Sequence, residues 1–237
     1  MKIITFPTIP NTNNYLMELS KKDANSWTVI HALEQTDGKG YAGNQWEVIA
    51  NQNLTFSFLI KSELEYRELI YLNEWIAIGL HQSLSVYTKG IEVKWPNDII
   101  LNEKKICGVL IENYKTKETM HSVIGIGINI NQTDFNHLPK ATSLANETAK
   151  TYDIMSVLTD LMQNFQNQFY WILEKRFEEI HEKYNQLLFR KDIISQFRLD
   201  GHEVEGIIRS STLNGTLMIE INGELREFLH KQIELVY

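Results

Sequence analysis

Residues that could bind an anion gather in one apolar stretch, residues 92–112. Lys94 and Lys105 stand beside strand-forming aliphatic residues, and Asn97 and Asp98 follow a proline that forces a bend. Two ammonium groups and a carboxylate beside a buried sheet edge suggest a site for a small anionic molecule. The alternative is a surface hairpin with solvated lysines, which is the commoner setting for lysine.

The same stretch predicts the β-hairpin that positions these groups. An apolar strand over residues 93–101 is interrupted by Pro96, and residues 102–105 form a polar tight turn. Residues 106–111 form a second apolar strand, which carries Gly108. The polar side chains therefore stand at the ends of strands.

A second candidate anion site is the glycine-rich segment 34–46. Gly38, Gly40 and Gly43 fit neither a helix nor a good strand. Such a loop can turn successive N–H groups toward an anion, and Lys39 adds a charge. The three glycines have the Gly-x-Gly-x-x-Gly spacing but do not open a helix, and the P-loop spacing is absent. A surface loop without a ligand is the alternative.

A third feature is the alternating segment 121–131. Its isoleucines share one face, which we expect to be core, whereas Val123, Gly125, Gly127 and Asn129 share the other. The glycine face could leave an open surface for a flat or ring-shaped ligand, with Asn129 at its end. A helix packed tightly on the glycines is the alternative.

The elements that must position these segments follow from periodicity. One of residues 11–14 is expected to cap a short helix through Leu19. Residues 27–33 and 53–60 predict strands, and His31 is interpreted as a packed strand residue rather than a catalyst. Leucines and isoleucines over residues 69–84 predict a core-facing helix.

The next segment predicts a long helical region capped by Asp153. Its stripe from Met155 to Ile172 is expected to lie in the core, and residues 177–184 continue it after a bend. From Arg190 the pattern changes to short strands separated by three hairpin-turn dipeptides, Asp200-Gly201, Asn214-Gly215 and Asn222-Gly223. We therefore predict two domains, residues 1–188 and a small β-barrel over residues 189–237.

Composition narrows the class of protein. The chain has 237 residues, of which 43% are hydrophobic and 22% charged, as in ordinary globular proteins. Its formal net charge of −7 argues against binding nucleic acid by bulk electrostatics. A single cysteine, Cys107, excludes an intrachain disulfide framework. No segment approaches the ~18 apolar residues of a membrane span, and no signal peptide is evident, so we expect a cytoplasmic protein without membrane attachment.

Five segments in order resemble the motifs of one family, the biotin protein ligases, or biotin–[acetyl-CoA-carboxylase] ligases. They are Gln35–Trp46, Asn53–Ser57, Lys94–Asp98, Lys105–Leu110 and Gly125–Asn131. The resemblance implies an α+β fold: a catalytic domain with a mixed β-sheet and helices, of the class II synthetase-like biotin/lipoate ligase type. It also implies a small C-terminal SH3-like barrel.

The resemblance implies a two-step reaction. Biotin and MgATP give biotinyl-5′-AMP and pyrophosphate. The ε-amine of a lysine on a biotin carboxyl carrier domain of a biotin-dependent carboxylase then attacks the mixed anhydride. Biotin and ATP are thus substrates, and Mg²⁺ accompanies the nucleotide.

Site residues are carried over by matching motif positions. Lys105 and Lys39 are implied to be catalytic and to hold the biotin carboxylate and the phosphate oxygens. The implied biotin-binding residues are Asn11, Thr12, Asn13, Gln35, Gly38, Lys39, Gly40, Tyr41, Lys105 and Gly108. The implied ATP-binding residues are Lys39, Trp46, Lys94, Asn97, Asp98 and Asn129, with Asp98 the candidate for Mg²⁺ contact.

The chain departs from the family pattern at three of these positions. Asn11 replaces a serine or threonine, and Lys39 and Tyr41 replace the two loop arginines. Lysine cannot make arginine's bidentate phosphate contact, so we expect the adenylate to be retained more weakly than in an arginine loop. About ten residues precede Asn11, so we expect no DNA-binding helix-turn-helix and no DNA partner.

Two other functions are weighed against this one. A lipoate or octanoate protein ligase shares the catalytic fold, but its Arg-Arg-x-Ser-Gly-Gly-Gly type of loop is absent. A non-catalytic biotin-binding module would explain the loop substitutions as lost chemistry. Family members dimerise by pairing sheet edges, so a homodimer is an alternative to a monomer.

Overall fold

The computed structural model describes residues 1–40, 45–46, 49–135 and 137–237. Two predicted loop residues, Tyr41 and Gly43, lie outside the described residues. Within the described ranges, helices pack against a mixed sheet, followed by an antiparallel sheet near the C-terminus. The predicted α+β class is confirmed.

Seven strands form the main sheet in the described part of the chain, in the order β1-β2-β3-β7-β6-β5-β4. Their bounds are β1 Lys2–Ile9, β2 Thr28–Gln35, β3 Leu54–Ser62, β4 Ile91–Lys94, β5 Asp98–Leu101, β6 Lys104–Thr116 and β7 Thr119–Ile128. Strands β1 and β2 are parallel, and the other neighbours are antiparallel. The edge strand β1 was not predicted; its side chains are mostly exposed or half-buried, so they carry little hydrophobic pattern.

The helices are α1 Thr12–Ser20, α2 Leu69–Ser85, α3 Leu144–Thr148, α4 Ile154–Gln168, α5 Tyr170–Leu173 and α6 Phe177–Gln186. Two predicted caps are confirmed, because Asn11 and Asp153 accept hydrogen bonds from backbone N–H groups of the first turns of α1 and α4. The predicted core position of Met155 is wrong. This side chain is 37% exposed because it lies in the first turn, on the outer side of α4.

The second sheet contains β8 Ile194–Leu199, β9 His202–Ser211, β10 Leu217–Ile221, β11 Glu224–Phe228 and β12 Ile233–Val236. All neighbours in the order β11-β10-β9-β8-β12 are antiparallel, in agreement with the predicted small β-barrel. The predicted turn glycines have positive φ, 81° at Gly201, 79° at Gly215 and 80° at Gly223, which is why glycine suits these turns.

The two sheets are joined through contacts of β4, the strand that ends at Lys94. The backbone N–H of Phe189 donates to the carbonyl of Val93 at 2.8 Å, and the Val93 N–H donates to the Leu187 carbonyl at 2.9 Å. One cluster of buried side chains runs from the main sheet into the second sheet. The domain boundary at 188/189 stays a prediction.

Among the described residues, no helix combines the length and the apolar character that crossing a membrane requires.

Candidate active-site cavity

A cavity of about 710 Å³ lies between the main sheet and the second sheet. It gathers predicted site residues that are far apart in the chain: Asn11, Thr12, Asn13, Gln35, Lys39, Gly40, Trp46, Lys94, Asn97, Asp98, Lys105 and Gly108. Lys39 and Lys105, which come from separate segments, therefore share one cavity. The anion-site interpretation of the 92–112 stretch is favoured over a solvated surface hairpin.

One end of the cavity is a polar cluster at the N-terminus of α1. The backbone N–H and hydroxyl of Thr12 both donate to Gln35 Oε1, at 2.8 and 3.0 Å. The Ser57 hydroxyl lies 2.7 Å from Thr12 Oγ1 and 2.5 Å from Asn13 Oδ1. Because these groups contact one another, the cluster presents fixed donors and acceptors to the cavity.

The Asn13 amide is held from strand β6. Its Nδ2 donates to the Leu110 carbonyl at 3.2 Å and to Glu112 Oε2 at 2.9 Å. The amide oxygen therefore faces Ser57, and a Cβ at Gly125 would lie 2.3 Å from it. Glu112 was missed by sequence reasoning because nothing in its own segment marks it as a partner of a residue 99 positions away.

The glycine face of β7 is covered by the chain itself. A Cβ at Gly127 would lie 2.2 Å from the Trp46 ring, and one at Gly108 would lie 3.0 Å from it. The backbone N–H of Trp46 donates to the Gly38 carbonyl at 3.0 Å, and Lys39 pairs with Gln45 in a β-bridge. Each sequence interpretation is thus modified, because the Trp46 indole packs on Gly127, whereas Asn13 of helix α1 packs on Gly125.

The opposite side of the cavity is built on Lys105. Its ammonium lies 2.7 Å from Asp98 Oδ1, and the two side chains are 35% and 27% exposed. Residues outside the neighbouring strands β5 and β7 also hold the backbone of Lys105. The Lys105 N–H donates to the Lys140 carbonyl at 2.7 Å, and the Lys105 carbonyl accepts from the Thr142 N–H at 3.0 Å. The backbone is thereby fixed while the ammonium stays accessible to a ligand.

Lys94 stands directly opposite Asp98 in the β4–β5 pair. Burial lowers the pKa of the Lys94 ammonium, the charge of Asp98 opposes that shift, and the ammonium groups of Lys105 and Lys140 add to it. An anion bound here would favour the protonated form of Lys94.

The bend between β4 and β5 is fixed by two helices. Asn97 Nδ2 donates to Asn73 Oδ1 at 2.7 Å, and Asn73 Nδ2 donates to the Pro96 carbonyl at 3.0 Å. The Tyr184 hydroxyl donates to the same carbonyl at 2.8 Å. Asn73 was missed, although a polar residue within the apolar helix α2 was an available signal.

Two of the predicted lysines in the cavity, Lys39 and Lys105, form ion pairs, and Lys39 is the more exposed of the two. Its side chain is 48% exposed, and its ammonium lies 3.8 Å from Asp37 Oδ2. This arrangement leaves the charge available to a ligand. Among the described residues no group of three histidine, cysteine, aspartate or glutamate side chains could hold a metal ion.

Of the predicted site residues that the structure describes, two do not line the cavity. Gly38 lies behind Trp46, where a Cβ would be 2.4 Å from the Trp46 carbonyl oxygen. Asn129 is 5% exposed, and its Nδ2 donates to the Thr142 carbonyl at 2.9 Å. It therefore supports the segment that holds Lys105, and its predicted contact with the nucleotide stays a prediction.

The second sheet and the segments next to its strands supply one wall of the cavity. This wall includes Phe189, His230, Ile233 and Leu235, and the His230 ring meets the Trp95 ring edge-on with 5.5 Å between centroids. Sequence reasoning missed these residues, since no motif connects the β-rich segment to the cavity.

A model of the biotin/lipoate A/B protein ligase family matches residues 5–129. The bifunctional ligase/repressor BirA of Bacillus spizizenii is 30% identical over 168 residues, which cover 68% of this chain and 51% of that protein. The Bacillus subtilis protein of the same name is 26% identical over 255 residues, covering 98% of this chain and 74% of the relative. The chain thus spans about half the length of the first of these relatives and about three quarters of the length of the second.

A solved structure described as biotin protein ligase from Aquifex aeolicus in complex with biotin and ATP is also similar. It superimposes with a TM-score of 0.82 at 26% sequence identity, covering 99% of this chain and 98% of that one.

Proposed function

We propose that this chain, which belongs to the biotin/lipoate A/B protein ligase family, is an ATP-dependent biotin protein ligase. It would join biotin and ATP to give biotinyl-5′-AMP and pyrophosphate. It would then transfer the biotinyl group to a lysine of a biotin carboxyl carrier domain, releasing AMP. The main observation in support of this proposal is that one cavity contains both a fixed polar cluster and a group of ammonium side chains.

The polar cluster suits the ureido ring of biotin, which carries two N–H donors and a carbonyl acceptor. Thr12, Asn13 and Gln35 are held by one another and by Ser57, so they would not need to reorganise when the ring binds. Asn11 caps α1 and donates to the Asp37 carbonyl at 3.1 Å. We assign Asn11 to positioning the glycine loop at this end of the cavity.

The lysine side suits the reacting groups. A carboxylate and a triphosphate repel each other, and Lys105 and Lys39 would bring them together for attack at the α-phosphorus. Positioning of this kind contributes ~7–11 kcal/mol in well-oriented reactions. Fixed charges facing a developing negative charge contribute about 3–4 kcal/mol per group.

Mg²⁺ is proposed as the companion of ATP. In proteins this ion is often held by one or two carboxylates together with substrate phosphates, and Asp98 is a carboxylate of the cavity wall. A carboxylate beside the ammonium groups fits that pattern, so Asp98 would hold the ion with the nucleotide. Bound there, the ion would neutralise phosphate charge.

Three further assignments stay predictions. These are the carrier domain as macromolecular substrate, a homodimer formed through a sheet edge, and a cytoplasmic location. The absence of a DNA partner likewise stays a prediction.

Pyrophosphate release tests the proposed function. With ATP and Mg²⁺ present, we expect release to depend on added biotin and not on added lipoate. Release that responds to lipoate alone would identify a lipoyl ligase. Binding of biotin in calorimetry without any release would identify a binding module, and either result would contradict the proposal.

A further inference from the structure

Two lysines from distant segments meet at one aromatic ring. The Lys94 ammonium and the Lys140 ammonium each lie 4.9 Å from the centroid of the Tyr237 ring. Lys94 ends β4, Lys140 lies between β7 and α3, and Tyr237 follows β12 of the second sheet. None of the sequence motifs includes Lys140 or Tyr237.

The positive charge at this ring is only partly offset by the protein, since Asp98 and Glu234 favour the charged form of Lys94 while burial opposes it. Within the described ranges of the chain, neither ammonium forms an ion pair with a carboxylate, whereas Lys105 pairs with Asp98. Burial lowers the pKa of Lys94, and Lys140 lowers it further. A site with excess positive charge is stabilised when an anion binds to it.

The aromatic ring explains how the two like charges stay together. A cation near a tyrosine face is attracted by the ring quadrupole. Burial raises the pKa of the Tyr237 hydroxyl to about 12, so the ring stays neutral at physiological pH. Phe189 meets the ring edge-on with 5.1 Å between centroids, which anchors it to the cavity wall.

The ring is coupled to the reacting side of the cavity. Lys94 pairs across the sheet with Asp98, which in turn contacts the Lys105 ammonium. The Lys140 carbonyl accepts the Lys105 N–H at 2.7 Å. Each lysine at the ring is thus one contact away from the Lys105–Asp98 pair.

We propose that Lys140, held beside Lys94 by the Tyr237 ring, also binds the polyphosphate of the nucleotide. Lys140 is then a phosphate-binding residue, and Tyr237 is a positioning residue by which the second sheet serves the reaction. The assignment of the polyphosphate to ATP rests on the proposed function. The binding of an inorganic polyanion does not.

Calorimetry with inorganic triphosphate on the full chain tests the site directly. We expect Lys140→Met and Tyr237→Leu each to raise the dissociation constant roughly three- to tenfold, and Tyr237→Phe, which keeps the ring, to leave it within about twofold of the wild type. Lys21→Met removes an exposed charge that pairs with Glu18 on α1 and serves as the matched control, with no change expected.

Equal affinities in the wild type and both Lys140→Met and Tyr237→Leu would overturn the proposal, as would equal weakening by Tyr237→Phe and Tyr237→Leu. Circular dichroism melting identifies a variant that fails to fold, and Lys140, which is exposed, still decides the question if Tyr237→Leu does fail.

Steady-state kinetics separates this proposal from the proposed function. In a biotin ligase, Lys140→Met should raise the KM for ATP and leave the KM for biotin unchanged. Triphosphate binding that follows the expected pattern without any biotin-dependent release would support the polyanion site and contradict only the ligase function. Biotin-dependent release together with unaltered triphosphate affinity in the variants would support the ligase function and contradict the polyanion site.

Discussion

The ammonium of Lys105 lies 2.7 Å from Oδ1 of Asp98 on the neighbouring strand. This ion pair stands in the cavity wall, where the proposed reaction brings two further anions. Asp98 therefore balances the lysine charge until substrates bind. Because both side chains are partly exposed, the pair is expected to contribute function more than folding stability.

Lys105→Ala is expected to lower biotin-dependent pyrophosphate release roughly 100- to 1,000-fold, since it removes a charge that faces the developing anion. The fold should persist, because the side chain that is lost is partly exposed and the backbone hydrogen bonds of residue 105 remain. The neighbouring Lys104→Ala removes an exposed lysine from the same strand and serves as the control. Unaltered release in Lys105→Ala would refute the assigned role.

Glu112→Leu is expected to raise the KM for biotin about tenfold and leave the KM for ATP unchanged, because Asn13 loses the acceptor at 2.9 Å that orients its amide. Glu112→Gln keeps an acceptor oxygen and should restore most of the affinity. Steady-state kinetics with each substrate varied in turn measures both constants. A parallel rise in both KM values in Glu112→Leu would show general damage instead.

Gly127→Ala is expected to displace the Trp46 indole, because the new Cβ would lie 2.2 Å from the ring. Tryptophan fluorescence should shift to longer wavelength and biotin affinity should fall, as the cavity wall changes shape. Gly108→Ala, whose Cβ would lie 3.0 Å from the same ring, should show the same changes to a smaller degree. Identical spectra for Gly127→Ala and the wild type would contradict the packing of Trp46 on this glycine.

The pH dependence of ATP binding is expected to reflect Lys94. Burial lowers the pKa of the Lys94 ammonium below the ordinary value of 10.5. ATP affinity should therefore fall as the pH rises from that lowered pKa toward 10.5, an interval in which an unperturbed lysine would still be charged. In the same interval the unfolded chain binds more protons than the folded one, so the free energy of unfolding should rise with pH. Lys94→Arg, always protonated, should abolish the loss of affinity; an unchanged pH profile would exclude Lys94.

Lys39→Arg is expected to retain the adenylate better, because a guanidinium makes a bidentate contact with phosphate oxygens and an ammonium does not. Rapid trapping with hydroxylamine measures the adenylate that escapes, and the variant should release less than the wild type. Equal leakage from both proteins would show that the substitution at position 39 is neutral.

Periodicity and motifs were sufficient for the main elements and for much of the cavity wall. The helix of residues 69–84 and the alternating strand of residues 121–131 were predictable because their hydrophobic patterns follow burial. Strand β1 was not, since its exposed edge weakens that pattern.

The missed residues of the site act through tertiary contacts. Asn73 contacts a bend 23 positions later, and Glu112 contacts a helix 99 positions earlier. Tyr237 meets lysines on two other segments. No spacing within a local segment encodes such contacts, whereas motif residues such as Lys105 could be identified from their own neighbours.

Mass spectrometry of a carrier domain from a biotin-dependent carboxylase, incubated with this protein, biotin, ATP and Mg²⁺, tests the ligase function most directly. We predict that one biotinyl group appears on one lysine of the carrier, that omission of ATP prevents it, and that replacement of that lysine by arginine abolishes it. A carrier that stays unmodified, or that gains a lipoyl group when lipoate is supplied instead, would contradict the proposed function.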